Sequence, residues 1–264
     1  MRLLTLILVL ATNAVPIYGA LRLGWSAPTL LVLFWSENAI GIVFTSLRIW
    51  LHRRLTRKRG HWNTKASANV GNSVKAGDRT TLLAAYAVPS ALFTGAHAIF
   101  VFAIAFAIAG KHPEDPFWRF SSEQLWIGLQ WITVVMLLDF GKDLFSLRRH
   151  SYAWIKRYSD QRMGRVIVLH LGIIFGMGAL AFFESPLAPL CVLMGLKALL
   201  DLAWAWGTDA EPVPAEPPAW SLKMADKLGS LAPGMDAEQF RRQWQAEREA
   251  ERRAAIENEE PLER

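Results

Sequence analysis

The chain has 264 residues, 52% hydrophobic and 20% charged, with a net charge of +6 and a mean hydropathy of +0.19. The charge is segregated: segments 48–80, 142–165 and 207–264 hold 40 of the 52 charged side chains, and the other 149 residues carry 12. Several separate apolar runs of bilayer-crossing length (about 20 residues) exclude a soluble globular enzyme and a disordered chain.

Six runs, roughly 3–22, 28–47, 90–109, 124–141, 166–183 and 187–206, are read as membrane-spanning helices, because a helix satisfies its own backbone in lipid. The fold class is therefore all-α, a polytopic bundle of about six spans over residues 1–206. The first run resembles a signal peptide, with Arg2 before an apolar stretch and small residues at Gly19-Ala20. Asn13 and Pro16 interrupt it, and Tyr18 fits poorly three residues before a cut, so a retained span is expected. Twelve Trp residues are present, and Trp25, Trp50, Trp118, Trp126, Trp204 and Trp206 fall near run ends, where membrane interfaces are expected. Residues 60–79, rich in Ser, Asn, Gly and Lys, read as a flexible loop. Segment 81–89, closed by Pro89, is either an interfacial helix or a kinked start to the third span. Cys191, the single cysteine, permits no intramolecular disulfide.

Lys and Arg count nine in 48–80, seven in 142–165 and eight in the tail from 207, against one, two and none in the alternate connections. This bias predicts cytoplasmic termini and basic loops, in a cell membrane of bacterial inner-membrane type. It also explains the pI of about 9.7 without a nucleic-acid partner; the expected partner is the bilayer. Residues 1–208 carry +11 and the tail −5.

The tail opens with a Pro-rich linker, 207–219, followed by Trp220–Leu228, a segment suited to the membrane surface. Asp236, with Gln239 three residues on, predicts the capped start of a helix running to about Glu260. Its Glu/Arg pattern reads as a solvated helix with i,i+4 pairs; a protein partner for 236–260 is the alternative.

Charge inside a span costs roughly 2.5–3.5 kcal/mol at a helix centre, so intramembrane polar residues must face the bundle interior. The candidates are Glu37, Asn38, His97, His170, Lys197 and Asp201, with Asp139 nearer the surface. At ~1.5 Å per residue, Glu37 and Lys197 lie near the midplane, Asn38 just below, and His97, His170 and Asp201 lower. A Glu37–Lys197 ion pair is expected; Asp201, one turn from Lys197, is the other partner. His97, His170 and Asp201 would serve as a proton relay or a metal site, or simply as hydrogen-bonded packing residues. No HExxH, CxxC, GxSxG, Walker or GxGxxG motif supports a specific reaction, and no cofactor or metal is expected. His97 precedes Pro113, and His170 precedes Pro186, by 16 residues, and each hairpin returns through Leu-Leu-Asp, a faint sign of duplication. Gly172, Gly176 and Gly178 suit close helix packing.

Trp35-Ser-Glu37-Asn38 with Gly41, His97-Ala-Ile-Phe100-Val101, Arg165-Val-Ile-Val-Leu-His170, Glu184-Ser185-Pro186-Leu187 and Leu196-Lys197-Ala-Leu-Leu-Asp201-Leu resemble segments of an uncharacterised bacterial and archaeal family of integral membrane proteins, a domain of unknown function. The resemblance covers about 1–206 and leaves the tail outside. It implies that Glu37, Asn38, His97, His170, Lys197 and Asp201 are the family's polar hallmarks, and it carries no activity. The pattern has a further histidine eight residues before His97, where this chain has Pro89. Three functional readings follow: a small-solute or proton-coupled transporter-like protein using Glu37, His97, Lys197 and Asp201; a non-catalytic scaffold with a partner-binding tail; and a membrane-embedded metal- or His-dependent enzyme.

Overall fold

The computed structural model describes residues 2–65, 77–111, 114, 118–164, 171, 175, 187–206, 216–229 and 237–262. The described chain is mostly helical: α1 (Arg2–Arg22), α2 (Ala27–Thr56), α3 (Leu82–Lys111), α4 (Ser122–Leu144), α5 (152–164), α6 (Leu187–Trp206), α7 (Ala219–Gly229) and α8 (Ala237–Glu259). Four of these, Leu3–Arg22, Ala27–Thr56, Leu82–Phe106 and Ser122–Leu144, are long and apolar enough to cross a membrane. The expected fifth run, its glycines and His170 lie outside the described residues except for 171 and 175. So do Pro113, Pro186 and the capping residue Asp236.

Two helices are longer than their apolar runs. α2 continues past the expected end at 47 to Thr56, because nothing between Arg48 and Thr56 breaks a helix and Arg, Trp and Leu all favour or tolerate one. It stops at Arg57, which adopts a left-handed conformation (φ 51°) and donates its N–H to the Arg53 carbonyl at 3.0 Å. α3 absorbs segment 81–89. The Thr81 hydroxyl accepts the Ala84 N–H at 3.2 Å and starts the helix, and Pro89 sits within it, as proline is tolerated in apolar helices whose neighbours compensate.

Contacts fix the relative directions. At one end, Ser26 N–H donates to Gln124 Oε1 (3.0 Å) and Ser121 N–H to Thr29 Oγ1 (2.9 Å), joining the starts of α2 and α4. At the other end, Arg48 of α2 meets Asp139 and Asp143 of α4. These helices therefore run parallel. α1 runs against them, since Lys142 of α4 bonds Thr5 while Gly19 packs on Trp25. α3 also runs against α2: Leu82 and Tyr86 cluster with Ile49, and Val101 and Ala105 with Val32.

The basic loops close one end of this bundle. A short 3-10 turn (Arg59–Trp62) buries His61, and strand β1 (Thr64–Lys65) pairs antiparallel with β2 (Arg79–Thr80). The ends of the 60–79 loop are thus ordered, contrary to the flexible reading, because His61 and Thr64 pack on α2 and on Tyr152 at the head of α5.

Trp25, between the ends of α1 and α2, is turned inward: it is 3% exposed, in a cluster with Leu30, Leu33, Phe34, Ile132, Met136 and Leu193. Two glycines admit it: a Cβ on Gly19 would stand 2.3 Å from its ring, and one on Gly128 would stand 2.7 Å from Leu33 and 3.2 Å from Trp25. Trp50 and Trp126 keep outward faces. Gly128→Val is expected to lower stability by about 1–3 kcal/mol through overpacking, read as a lower melting temperature in detergent. Gly95→Ala, with open space around it, should leave that temperature unchanged or slightly raised.

Candidate functional site

α2 carries buried polar residues at separated heights. Glu37 and Arg48 are eleven residues apart, which places them on nearly the same face and ~16 Å apart along the axis. His52 follows one turn later. All three are at most 3% exposed. Each recruits a separate set of partners.

The first set contains the expected ion pair. Lys197 Nζ of α6 lies 3.1 Å from Glu37 Oε1 and 3.1 Å from Asp201 Oδ2 one turn along its own helix, so both anticipated partners are engaged at once. Asn13 of α1 completes the ring: its Oδ1 accepts from Lys197 Nζ at 2.9 Å, and its Nδ2 donates to Asp201 Oδ2 at 3.1 Å and to the Val9 carbonyl at 2.9 Å. Sequence reasoning noted Asn13 only as an interruption of the first span. A polar amide in an apolar run was the signal that it faces a partner. Two carboxylates here share one ammonium. Glu37 Oε2 is buried and accepts no hydrogen bond.

The other candidates fall elsewhere. Asn38 gives its amide to the Phe34 carbonyl at 3.0 Å, a bond to its own helix, and does not join the ring. His97 is 7% exposed on α3, with Nδ1 at 2.8 Å from the Phe93 carbonyl and its imidazole stacked on the Phe93 ring at 4.1 Å. His170 lies outside the described residues. Asp139 belongs to the second set.

That second set is a charged knot. Arg48 donates from Nη2 to Asp139 Oδ2 (2.8 Å) and from Nε to Asp143 Oδ2 (3.0 Å). Its guanidinium lies between the rings of Phe140 and Tyr158, at 5.1 and 5.0 Å. Lys142 reaches both aspartates, at 3.0 and 3.5 Å, and Arg162 approaches Asp139 at 3.5 Å while donating to Tyr158 Oη. Read from sequence, Arg48 was the first residue of a basic loop. The longer α2 makes it an internal residue, 2% exposed. A rigid fork suits this position, where two carboxylates converge on one cation.

The third set is a pair of histidines at the basic end. His52 Nε2 faces the His150 carbonyl at 3.1 Å and must donate to it, so His52 Nδ1 accepts. His61 Nε2, 2.7 Å from that nitrogen, is then the donor, and His61 Nδ1 is left buried with no partner. Burial, followed by the nearby His52, Arg53 and Lys58, pushes His61 down to about 3. The ring is held neutral. The sequence offered no cue for this pair, since both histidines sit among the basic residues of a loop.

Among the described residues no group of three or more His, Cys, Asp and Glu side chains converges as a metal site would. Residues 1–250 match a family of unknown function, DUF6498, and the chain belongs to that family. The match extends the expected resemblance through the linker and into α8. No curated protein and no solved structure matches the chain.

Arg48→Met is expected to destabilise the full-length protein by about 3 kcal/mol, because Asp139 and Asp143 each lose a buried, charge-assisted hydrogen bond; Arg48→Lys should recover part of this in thermal unfolding. His61 titrates lower in the folded state than its ordinary 6.5. Its contribution to stability is therefore full above pH 6.5 and lost as pH falls from there towards 3, with a slope of at most about 1.4 kcal/mol per pH unit. Melting temperature measured from pH 7 to 5 should fall more steeply for the wild type than for His61→Gln.

Proposed function

We propose that this member of a family of unknown function is a small-solute or proton-coupled transporter-like membrane protein. Its exchanging site is the ring of Asn13, Glu37, Lys197 and Asp201. The observation that carries the reading is the state of Glu37: one oxygen held by Lys197, the other buried without a donor. With all groups ionised, the ring holds one negative charge more than its single ammonium balances. Buried charge of that kind demands a counter-ion. A proton or a small cation arriving at Oε2 supplies it, and its departure restores the imbalance.

The position of the ring supports the same reading. It joins α1, α2 and α6, so an altered charge state acts on three helices together. The basic end of the bundle faces the cytoplasm, by its excess of Lys and Arg, in a membrane of bacterial inner-membrane type. His97 and the undescribed His170 remain candidates for a relay to the ring. The scaffold reading, with 236–260 as the partner-binding segment, requires a core in which every polar group is paired; Glu37 Oε2, like the hydroxyls of Thr45, Ser90 and Thr94, speaks against it. The enzyme reading draws no support from the described residues.

The test is infrared difference spectroscopy of the full-length protein in lipid, cycled between acidic and neutral pH. A protonated-carboxyl band that vanishes in Glu37→Gln is expected. In a Cys191→Ser background, Glu37→Cys should react with a water-soluble maleimide from one side of the membrane. An unchanged infrared spectrum in Glu37→Gln, together with an unreactive cysteine, would turn the assignment towards the scaffold.

A further inference from the structure

Five basic side chains stand within seven residues at the end of α2: Arg53, Arg54, Arg57, Lys58 and Arg59. The structure divides them into two groups. Lys58 and Arg59 are occupied by the segment that closes α8. Lys58 Nζ lies 2.5 Å from Glu259 Oε2, and Arg59 Nη1 lies 3.3 Å from Glu260 and 3.6 Å from Glu257. The backbones pair as well. Arg59 N–H donates to the Glu260 carbonyl at 2.8 Å, Leu262 N–H donates to the Arg57 carbonyl at 3.0 Å, and Lys58 bridges Pro261 antiparallel. Glu259 also accepts the Ala153 N–H at 3.1 Å, so one carboxylate ties the head of α5 to the loop after α2. The left-handed turn at Arg57 presents Lys58 and Arg59 to this segment.

Among the described residues, Arg53, Arg54 and Arg57 have no acidic partner. Arg54 lies over Trp50 at 5.5 Å and Arg53 over Trp62 at 5.8 Å, and Trp50, Leu55 and Trp62 are between 38% and 45% exposed. Exposed aromatic rings beside unpaired guanidinium groups, at the end of a membrane-length helix, form a ledge suited to the headgroup level of a bilayer. The tail carboxylates mark where anions seat on its far side.

We propose that residues 257–262 are a detachable latch on this ledge, and that the surface which displaces them is the anionic phospholipid headgroup layer. Charge complementarity selects that occupant: the ledge is uniformly basic, and the segment bound to it is acidic. Two of the three ion pairs it breaks are cheap to exchange, since Arg59 is 41% exposed and its glutamates are 46% and 53% exposed; the third, Lys58–Glu259, is half-buried. Headgroups engaging Arg53, Arg54 and Arg57 draw Lys58 and Arg59 to the same surface, and like charge repels the three glutamates from it. Release detaches the end of α8 from the end of α2 and removes the bond between Glu259 and the head of α5. The latch lies beyond the family match, which ends at residue 250.

The test uses full-length protein in nanodiscs, with spin labels on Phe145→Cys and Ile256→Cys in a Cys191→Ser background. Both positions are exposed and outside the latch. In phosphatidylcholine the distance distribution should be short and narrow. In phosphatidylcholine with phosphatidylglycerol the open-to-closed ratio should rise roughly tenfold. Glu259→Lys should open the latch in both lipids, and a triple Gln variant at Arg53, Arg54 and Arg57 should stay closed in both. Inorganic phosphate at matched ionic strength should leave it closed. Identical distributions in the two lipids would overturn the proposal, as would opening by phosphate alone or a Glu259→Lys variant that stays closed.

Discussion

Charge buried along α2 is the constraint on which the rest of the structure depends. Glu37, Arg48 and His52 lie inside the bundle on a helix otherwise apolar enough to cross a bilayer. Each must be answered from another helix, because an isolated polar group in such surroundings costs several kcal/mol. The answers are specific: α6 meets Glu37 with α1 bonded to the same lysine, α4 and α5 meet Arg48, and the loops after α2 and α4 meet His52. Apolar contact alone does not distinguish one helix arrangement from another in lipid, where chains are as greasy as leucine. Counter-charge at fixed heights does. The order and register of the helices follow from it.

The three polar sets differ in how completely they close. In the knot, three cations face two aspartates, aromatic rings cover the Arg48 guanidinium, and the carboxylates are multiply engaged. That is the pattern of a structural lock. In the histidine set, the tautomers are dictated by the His150 carbonyl, which also accepts from Lys58 Nζ at 3.2 Å. Protonating His61 would place a third positive charge beside Arg53 and Lys58. The ring at Glu37 differs in that two carboxylates share one ammonium and Glu37 Oε2 accepts no hydrogen bond.

Much of this was legible in the sequence where chemistry is local. Glu37, Lys197 and Asp201 stood out because charge within an apolar run has one rational place, the interior, and the depth count put Glu37 level with Lys197. What escaped reading was non-local. Arg48 looked like loop because hydropathy ends a span at the first charge, whereas the helix ends only where a backbone breaks it, at Arg57. Trp25 looked interfacial because its burial depends on two glycines on different helices, Gly19 and Gly128, which no local pattern connects. Asn38 looked equivalent to its neighbour Glu37, yet a step of 100° around the helix turns it to its own backbone. The docking of residues 257–262 joins segments far apart in the chain, and the histidine pair, though only nine residues apart, depends on the turn after α2 and on the distant His150 carbonyl; composition carries no record of either.

Arg162 gives the polar sets a physical connection. It contacts Asp139 in the knot, and its charge is felt by Asp201 in the ring. α1 connects them a second time, with Thr5 bonded to Lys142 and Asn13, eight residues or ~12 Å further along, bonded to Lys197 and Asp201. A change of charge at Glu37 alters the hold of Lys197 on Asp201. The same change alters the field in which Arg162 is shared between two aspartates. α1 and α5 therefore register at the basic end what happens at the ring, and α5 is the helix whose head Glu259 binds.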